Sequence, residues 1–419
     1  MELKPPRGTE DLLPPASHAM VALYERAHEL AQRFGYRYVE TPAFEDTDLF
    51  ARSSGQTSDV VSKEMYTFED RGGRSLTLRP ESTAPVVRAY LEHHQDLGTP
   101  FKAYYIELNW RYGRPQRGRL REFRQFGVEI LGVASAEADV EVIVLADTFL
   151  RAAGLARLEL QINSIGDEVC RPAYREELIG YLEAHQERLR DEHRDRFREN
   201  PMRVLDCKND ACRDVAADAP KIVDHLCGPC REHFEQVQAG LEAEGVKAVL
   251  TPTLARGLDY YTRTAFEFVS EVLSAQQATV CGGGRYDGLA EVLGGPQAPG
   301  VGFGLGLDRV LLAQQGEEVE LSAPAVVCFV VGVGEGRPKS LELLRTLRAA
   351  GVAADAPFED RPLGTQMKMA DRRGARFAMI VGPREAADGT VTVRRLEDGR
   401  EETVPMTDAP SWILQQAGA

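Results

Sequence analysis

Six arginines lie within fourteen residues of a chain that is otherwise acidic. They fall in the run 109–132, and the 419-residue chain has a formal net charge of −15. The six are Arg111, Arg114, Arg117, Arg119, Arg121 and Arg124. Exposed like charges repel one another unless phosphate or carboxylate groups offset them. The run therefore predicts a loop that binds a polyanion, with a solvated basic surface loop as the alternative.

A carboxylate and two hydroxyls occur together at Glu81, Ser82 and Thr83. An extended segment precedes them, and a helix is predicted over 84–94. At such a strand-to-helix corner, side chains and unpaired helix N–H groups face a shared space. The corner therefore predicts a small polar binding site, whereas the alternative for either hydroxyl is a simple helix cap.

Two further segments offer groups for a planar or charged ligand. Arg256 precedes the adjacent phenols of Tyr260 and Tyr261, and Arg309 opens a predicted helix after the glycine-rich segment 300–306. An arginine at a helix start can lie against a planar ring or reach a phosphate. The alternative for the tyrosines is packing in a core. Neither a P-loop nor a G-x-G-x-x-G motif is present, so a bound nucleotide would need another fold.

Four of the seven cysteines fall in one charge-rich segment, as Cys207-x4-Cys212 and Cys227-x2-Cys230. The second pair has the spacing of zinc ligands, and the first is at the loose end of that range. Such a quartet could brace a helical module. The alternative is four free cysteines packed as small apolar residues, and no metal ligand is assigned to the reactive site.

The elements that must position these groups follow from hydrophobic periodicity. Alternating segments at 103–110 and 123–131 predict two strands joined by the arginine loop. Residues 166–245 are charge-rich and helix-forming, which predicts an inserted helical module. After a polar linker near 315–324, a βαβαβ pattern predicts a small α/β domain.

Composition restricts the class of protein. With 43% hydrophobic and 27% charged residues, the chain is typical of a globular protein. No stretch reaches the ~18 apolar residues that a membrane span requires, and the N-terminal segment lacks a signal-peptide core. An odd number of cysteines without a regular framework favours a reducing, cytoplasmic location.

Taken together, the motifs resemble those of class II aminoacyl-tRNA synthetases, and specifically the histidyl-tRNA synthetase family. Residues 38–50, with Pro42, resemble motif 1, the arginine run resembles motif 2, and residues 302–312 resemble motif 3. Segments 78–83 and 256–261, supported by 283–287, are similar to the segments that select histidine in this family.

The resemblance implies an α/β chain with an α+β catalytic core, in which helices flank an antiparallel sheet. It places the catalytic domain at 1–322, with the helical insertion at about 166–245. A C-terminal α/β anticodon-binding domain with a mixed sheet follows at 323–419. It also implies a homodimer formed through motif 1, with L-histidine, ATP and tRNA(His) as substrates and Mg²⁺ on the ATP phosphates.

The resemblance further implies a role for each candidate residue. Arg111 and Arg256 would act on the α-phosphate as catalytic residues. ATP would also be held by Arg119, Phe123 and Arg309. Histidine would be bound by Glu81, Ser82, Thr83, Gln125, Glu129, Tyr260 and Tyr261. In the C-terminal domain, six basic residues would suit RNA, namely Arg361, Lys368, Arg372, Arg373, Arg376 and Arg384.

Two positions depart from the family pattern. Ser82 stands where glycine is common, and Gly113 stands where a glutamate is common. The loss of that glutamate puts one contact to the nucleotide or to the tRNA acceptor end in doubt. The rival function is that of the synthetase-like, histidine-sensing regulatory subunit of ATP phosphoribosyltransferase, which typically lacks the anticodon-binding domain.

Overall fold

The computed structural model describes residues 3–53, 63–205, 207, 209–255, 260–274, 277–320 and 326–417. The chain forms two compact units, Met1–Glu320 and Leu321–Ala419.

The first unit alternates helices and strands. Its strands are β1 Arg37–Tyr38, β2 Phe44–Asp46, β3 Tyr66–Glu69, β4 Ser75–Leu78, β5 Phe101–Trp110, β6 Glu122–Leu131, β7 Leu158–Ser164, β8 Ala248–Leu250, β9 Thr262–Ser270, β10 Thr279–Arg285 and β11 Gly300–Gly306. Its helices are α1 Ala16–Arg33, α2 Thr47–Ser53, α3 Thr83–Leu97, α4 Ala136–Ala152, α5 Arg171–Ala184, α6 Asp191–Arg194, α7 Met202–Leu205, α8 Asp210–Ala217, α9 Gly228–Ala243, α10 Leu289–Val292 and α11 Leu307–Gly316.

An eight-stranded sheet forms the centre of this unit, in the order β1-β5-β6-β11-β10-β9-β7-β8. The six central strands pair antiparallel, and the short edge strands β1 and β8 pair parallel to their neighbours. Strands β2, β4 and β3 form a separate small sheet. The predicted antiparallel sheet with flanking helices is confirmed.

The two faces of the large sheet differ in chemistry because successive side chains of a strand point to opposite faces. On one face, Phe126 of β6 packs against Phe149 of α4 and Phe303 of β11, with ring centroids 5.0 and 5.5 Å apart. The other face carries Gln125 and Glu129 of the same strand. The apolar face is thus sealed by helix α4, and the polar face is left for a site.

Strand β1 is short, and its ladder ends soon after Tyr38. The backbone N–H of Thr41 donates to the Glu107 carboxylate at 2.7 Å, and Arg79 donates to the Thr41 carbonyl at 2.6 Å. Arg79 and Glu107 form a buried ion pair at 3.0 Å. Side chains therefore satisfy the backbone groups that a longer strand would have paired.

The insertion is helical, comprising α5 to α9, and it encloses its own apolar cluster, which includes Tyr174, Leu178 and Phe197. The four cysteines that the sequence allows as one zinc quartet do not lie together. Cys207 and Cys212 lie with His193, whereas Cys227 and Cys230 lie with Asp167 and Cys170. Sequence spacing suggested the quartet, but the fold separates its two pairs into different clusters.

The second unit has a five-stranded mixed sheet in the order β13-β12-β14-β15-β16. Its strands are β12 Cys328–Gly332, β13 Ala354–Asp355, β14 Phe377–Val381, β15 Thr390–Arg395 and β16 Glu401–Pro405, and its helices are α12 Arg337–Ala349, α13 Leu363–Arg372, α14 Pro383–Asp388 and α15 Ala409–Ala417. The first three strands of the order pair parallel, and the last two pair antiparallel. The predicted mixed sheet is confirmed.

Three of the six basic residues predicted to suit RNA form ion pairs with acidic residues. These acidic residues lie outside the segment 361–384 that contains the basic ones. Arg361 pairs with Glu359 at 2.6 Å, Arg373 with Asp355 at 3.5 Å, and Arg384 with Asp388 at 3.8 Å. The net positive charge of this surface is therefore smaller than the sequence cluster suggests.

Among the described residues, no helix combines the length and the apolar character needed to cross a membrane.

Candidate active site

A cavity of about 890 Å³ lies over the polar face of the large sheet. Strands β5, β6, β10 and β11, the start of α3 and the start of α11 contribute to its wall. Ten predicted site residues line it, namely Glu81, Ser82, Thr83, Arg111, Arg119, Phe123, Gln125, Tyr260, Tyr261 and Arg309. The fold thus brings together residues that are up to 228 positions apart in the sequence.

Two predicted residues are not among those lining the cavity. Glu129 is fully buried beneath its wall, behind Thr83 and Tyr105. Arg256 lies outside the residues that the structure describes, as do the three residues that follow it.

The start of α3 holds the Glu81 carboxylate, which accepts hydrogen bonds from the backbone N–H groups of Thr83 at 2.7 Å and Ala84 at 3.1 Å. Burial raises the pKa of Glu81, and these two N–H groups oppose that rise. The corner predicted from the sequence is therefore a site in which a buried acid can accept further hydrogen bonds from a cation.

The hydroxyl of Ser82 is used within the protein. It donates to the side-chain carbonyl of Asn109 at 3.2 Å, and the Asn109 amide donates to Gln125 at 2.6 Å. Ser82 thereby joins a chain of polar groups that fixes Gln125 on the cavity wall. The hydroxyl that Ser82 has, and a glycine would lack, therefore helps to orient Asn109.

Glu129 accepts hydrogen bonds from three hydroxyl groups. Thr83 donates at 2.8 Å, Tyr105 donates at 3.1 Å, and Tyr286 donates to the other carboxylate oxygen. Burial raises the pKa of Glu129 to about 8, despite these donors. Burial also raises the pKa of Tyr105 and Tyr286 well above 10, so both phenols remain protonated donors.

Glycines in the sheet make room for this cluster. A Cβ atom at Gly302 would lie 1.9 Å from Glu129 Oε2, and one at Gly127 would lie 2.2 Å from Tyr105 Cζ. Gly302 pairs with Glu129 across β11 and β6, and Gly127 pairs with Tyr105 across β6 and β5. The strand register and the glycines together determine where a carboxylate can be buried.

Three arginines crowd the other part of the cavity. Burial lowers the pKa of Arg111, and burial together with the charges of Arg111 and Arg119 lowers the pKa of Arg309. Arg111 and Arg309 remain charged at neutral pH because a guanidinium pKa starts near 12.5. A bound polyanion would relieve the repulsion among the three guanidinium groups.

Backbone carbonyls hold Arg309 in place. Its guanidinium donates to the carbonyls of Gly118 at 3.0 Å and Thr279 at 2.7 Å. The Arg111 guanidinium lies 5.4 Å from the centroid of the Phe123 ring and donates to the Pro80 carbonyl at 2.8 Å. The site therefore presents an aromatic ring and fixed guanidinium planes, surfaces on which a planar base can stack.

The glycine at position 113 lies against an ion pair. Arg119 donates to the Glu64 carboxylate at 2.7 Å. A Cβ atom at Gly113 would lie 3.2 Å from both Glu64 Oε1 and Arg119 Nε. A side chain here would crowd the pair, so the glycine leaves space for a carboxylate supplied by another segment.

Sequence reasoning missed four residues of this site. Tyr105 and Asn109 lie on the predicted strand before the arginine loop, and Tyr286 lies within the segment 283–287. Alternation along the two strands, combined with their register, would have identified Tyr105 and Asn109. Arg190, from the insertion, also lines the cavity, and no pattern in the sequence indicates it.

Comparisons with known proteins agree with the motifs. The family model described as "Histidyl-tRNA synthetase" matches residues 8–310, and the one described as "Anticodon binding domain" matches residues 325–416. A curated histidine–tRNA ligase of Moorella thermoacetica is 50% identical over 405 residues, which are 96% of this chain and 95% of that protein.

Solved structures share the fold. The crystal structure of apo histidyl-tRNA synthetase from S. aureus has a TM-score of 0.81 at 37% identity, covering 98% of this chain and 100% of that one. A structure titled an ATP phosphoribosyltransferase regulatory subunit/histidyl-tRNA synthetase, from Bacillus halodurans C, shares the fold at 23% identity. Its TM-score is 0.64, with 90% of this chain and 97% of that chain covered. With the family match spanning most of the chain and the relatives matching nearly all of it, the chain belongs to the histidyl-tRNA synthetase family.

Proposed function

We propose that this chain is an aminoacyl-tRNA synthetase that activates L-histidine with ATP and transfers it to the 3′ end of tRNA(His). The observation that carries the proposal is one cavity with two chemically distinct parts. One part holds the Glu81 carboxylate, with the Glu129 cluster beneath its wall, and the other holds Arg111, Arg119 and Arg309. An amino acid with a polar ring suits the first part, and a triphosphate suits the second.

Histidine would bind through its ammonium group at Glu81 and Thr83, and through its ring at Glu129 and Tyr261, with Gln125 and Tyr260 completing the pocket. Because Thr83 donates to Glu129, we propose that the substrate replaces this hydrogen bond. The ring nitrogen would reach Glu129, and the released Thr83 hydroxyl would accept from the ammonium group. A ligand without ring nitrogens would leave buried polar groups unpaired and would bind poorly.

The first reaction is an in-line displacement. A carboxylate oxygen of histidine attacks the α-phosphorus of ATP, the bond from that phosphorus to the bridging oxygen breaks, and pyrophosphate leaves. Arg111 and Arg256 would stabilise the charge on the α-phosphate from opposite sides, and Arg119 would hold the outer phosphates. Phe123 and Arg309 would enclose the adenine. No side-chain nucleophile is required, so positioning and electrostatics supply the rate.

Magnesium would neutralise charge on the β- and γ-phosphates of the bound nucleotide. Carboxylate oxygens are ligands that Mg²⁺ prefers. Glu267 of β9 offers such a group on the cavity wall, and we propose that it helps to hold the ion.

In the second step, the terminal ribose hydroxyl of the tRNA attacks the activated carbonyl carbon and AMP leaves. We propose that residues 1–322, with the insertion at about 166–245, catalyse both steps, and that residues 323–419 bind the anticodon. We further propose a homodimer formed through residues 38–50, located in the cytoplasm.

The rival, a histidine-sensing regulatory subunit, is disfavoured by the C-terminal part of the chain. Such subunits typically lack an anticodon-binding domain, whereas residues 325–416 match the model of one. Relatives named histidine–tRNA ligase also extend over nearly the whole chain.

ATP–pyrophosphate exchange, measured with each of the twenty amino acids, tests the proposal. We expect exchange with histidine alone, whereas exchange with another amino acid, or none at all, contradicts it. Arg256→Ala should abolish exchange while largely sparing histidine binding measured by calorimetry. Near-normal exchange by this variant would remove the proposed catalytic role of Arg256.

A further inference from the structure

The insertion contains a cluster of three thiols and one carboxylate that the proposed reaction does not use. Asp167, Cys170, Cys227 and Cys230 each offer one ligand atom, and these four atoms all lie within 4.8 Å of one another. We propose that this cluster binds a structural zinc ion as a Cys3Asp site at the base of the insertion.

The distances between the ligand atoms suit a tetrahedral ion. With Zn–S bonds of about 2.3 Å and Zn–O bonds of about 2.0–2.2 Å, the edges of the tetrahedron are roughly 3.5–3.8 Å. The Sγ atoms of Cys170 and Cys227 are 3.5 Å apart. Asp167 Oδ1 lies 3.1 Å from Cys170 Sγ and 3.9 Å from Cys227 Sγ. Shifts of about half an ångström would bring these three atoms to the edges of such a tetrahedron.

Two short turns present the four ligands. Cys227 precedes α9 and Cys230 lies in its first turn, a C-x2-C spacing common in zinc sites. Asp167 and Cys170 stand at the same spacing before α5, where Asp167 accepts from the backbone N–H of Val169 at 3.0 Å. The Cys227 N–H donates to Cys170 Sγ at 3.4 Å, the kind of outer contact that orients a metal ligand.

Packing as apolar residues does not account for this arrangement. The contact of a carboxylate with two thiols makes this cluster polar. A disulfide between Cys170 and Cys227 would not explain why Cys230 and Asp167 lie beside them. Three thiolates, a carboxylate and Zn²⁺ would carry a net negative charge, which the Arg263 guanidinium, 4.0 Å from Asp167, would partly offset. Within the part of the chain that the structure describes, the other cluster offers three ligands rather than four, namely His193, Cys207 and Cys212.

The site would join the two ends of the insertion to the catalytic sheet. Arg171, next to Cys170, donates to the carbonyl of Ile165 at 3.0 Å and also to the carbonyl of Tyr261. Gly166, also beside the cluster, accepts from the Arg263 N–H at 2.8 Å. An ion that fixes this turn would therefore also fix the backbone of Tyr261, a residue that lines the cavity.

The test is metal content per chain of the full-length protein, purified without an affinity metal and measured by elemental analysis. We expect about one zinc per chain, and its loss in Cys227→Ser and in Cys230→Ser. Cys328→Ser is the matched control, because Cys328 is a buried cysteine of the other unit, and it should keep the zinc. Zinc retained by both cluster variants, or lost from Cys212→Ser alone, would overturn the assignment.

Cobalt substitution tests the site without a variant that has to fold. Wild-type protein grown with Co²⁺ should show thiolate-to-cobalt charge-transfer bands and the visible bands of a tetrahedral ion. Titration of the purified protein with a thiol-specific mercurial should release zinc in step with thiol modification. A metal-free protein, or one with a Cys170–Cys227 disulfide on peptide mapping, would refute the proposal.

Discussion

At the scale of single residues, the burial of Glu129 opposes stability. The carboxylate has no exposed surface, and neutral hydroxyls rather than a cation are its hydrogen-bond donors. A buried acid in such surroundings prefers its protonated form. Sites that bind a polar substrate commonly retain groups that the fold alone would not favour.

The pH dependence of unfolding should reveal this group. The pKa of Glu129 is about 8 in the folded protein against an ordinary value of 4.5, so unfolding releases its proton between these values. The free energy of unfolding should therefore fall as pH rises through that window. In Glu129→Gln this contribution disappears. The variant should gain stability relative to wild type by up to about 1.4 kcal/mol per pH unit from about pH 4.5 to 8.

Denaturant unfolding at several pH values measures this difference in stability. Histidine-dependent pyrophosphate exchange measures the activity that the variant loses. We expect Glu129→Gln to be more stable than wild type at pH 8, with a smaller gap at pH 5.5, and to lose most exchange. An unchanged stability gap across this range would show that Glu129 is already ionised in the folded protein.

Gly302 permits a second experiment at the same scale. Gly302→Ala places a Cβ atom 1.9 Å from Glu129 Oε2 and 2.3 Å from the Val128 carbonyl. It should destabilise the protein by about 1–3 kcal/mol or more and abolish histidine binding. Gly288→Ala is the control, because a Cβ atom there would meet no described atom within 4 Å and Gly288 is not among the residues that line the cavity. Calorimetry with histidine should show that only the control binds.

At the scale of elements, the sequence predicted what depends on periodicity and missed what depends on pairing. The strands on either side of the arginine loop and the helix α3 follow from local patterns. The Glu129 cluster does not, because Tyr105 meets it through the register of β5 on β6, and Tyr286 meets it from a segment 157 residues away. For the same reason, the sequence could not show whether the two cysteine pairs meet, since spacing within a segment does not show which segments are neighbours in the fold.

One buried ion pair connects three elements of the first unit. Arg285 of β10 is fully buried and donates to Asp139 of α4 at 3.0 Å, and His233 of α9 lies 3.3 Å from the same carboxylate. Burial alone would raise the pKa of Asp139, but His233 and Arg285 outweigh it and lower this pKa. The pair therefore attaches the last helix of the insertion to the sheet.

Removal of the acid should be costly. Asp139→Asn leaves Arg285 buried with Asp287 as its remaining acidic partner in the described residues, so we expect a loss of about 3 kcal/mol in the free energy of unfolding. Asp147→Asn on the same helix is the control, because its pair with Arg151 is partly exposed and worth about 0–1 kcal/mol. Equal destabilisation of the two variants, measured by urea unfolding, would contradict this role.

At the scale of the whole molecule, the chain divides its proposed tasks between two units with separate cores. The apolar cluster of the second unit is formed by its own residues, from Cys328 to Ile413. Family models also match the two parts separately. Activation of the amino acid, which needs no tRNA, should therefore survive loss of the second unit.

A truncated chain ending at residue 322 tests this division. We expect it to retain histidine-dependent pyrophosphate exchange within a few-fold of the full chain and to lose most aminoacylation of tRNA(His). The full chain, assayed with the same tRNA, is the control. A truncated protein that charges tRNA as efficiently as the full chain would assign tRNA selection to the first unit alone.

The contact between Gly302 and Glu129 also restricts how the amino acid selected by such a site could change in evolution. A side chain gained at position 302 while Glu129 is present would collide with it. A substitution at 302 therefore cannot precede one at 129. The substitution at 129 to a shorter side chain must therefore come first, and it produces an enzyme that binds the original amino acid only weakly. A new specificity would have to arise from a weakened intermediate, most readily in a duplicated copy of the gene.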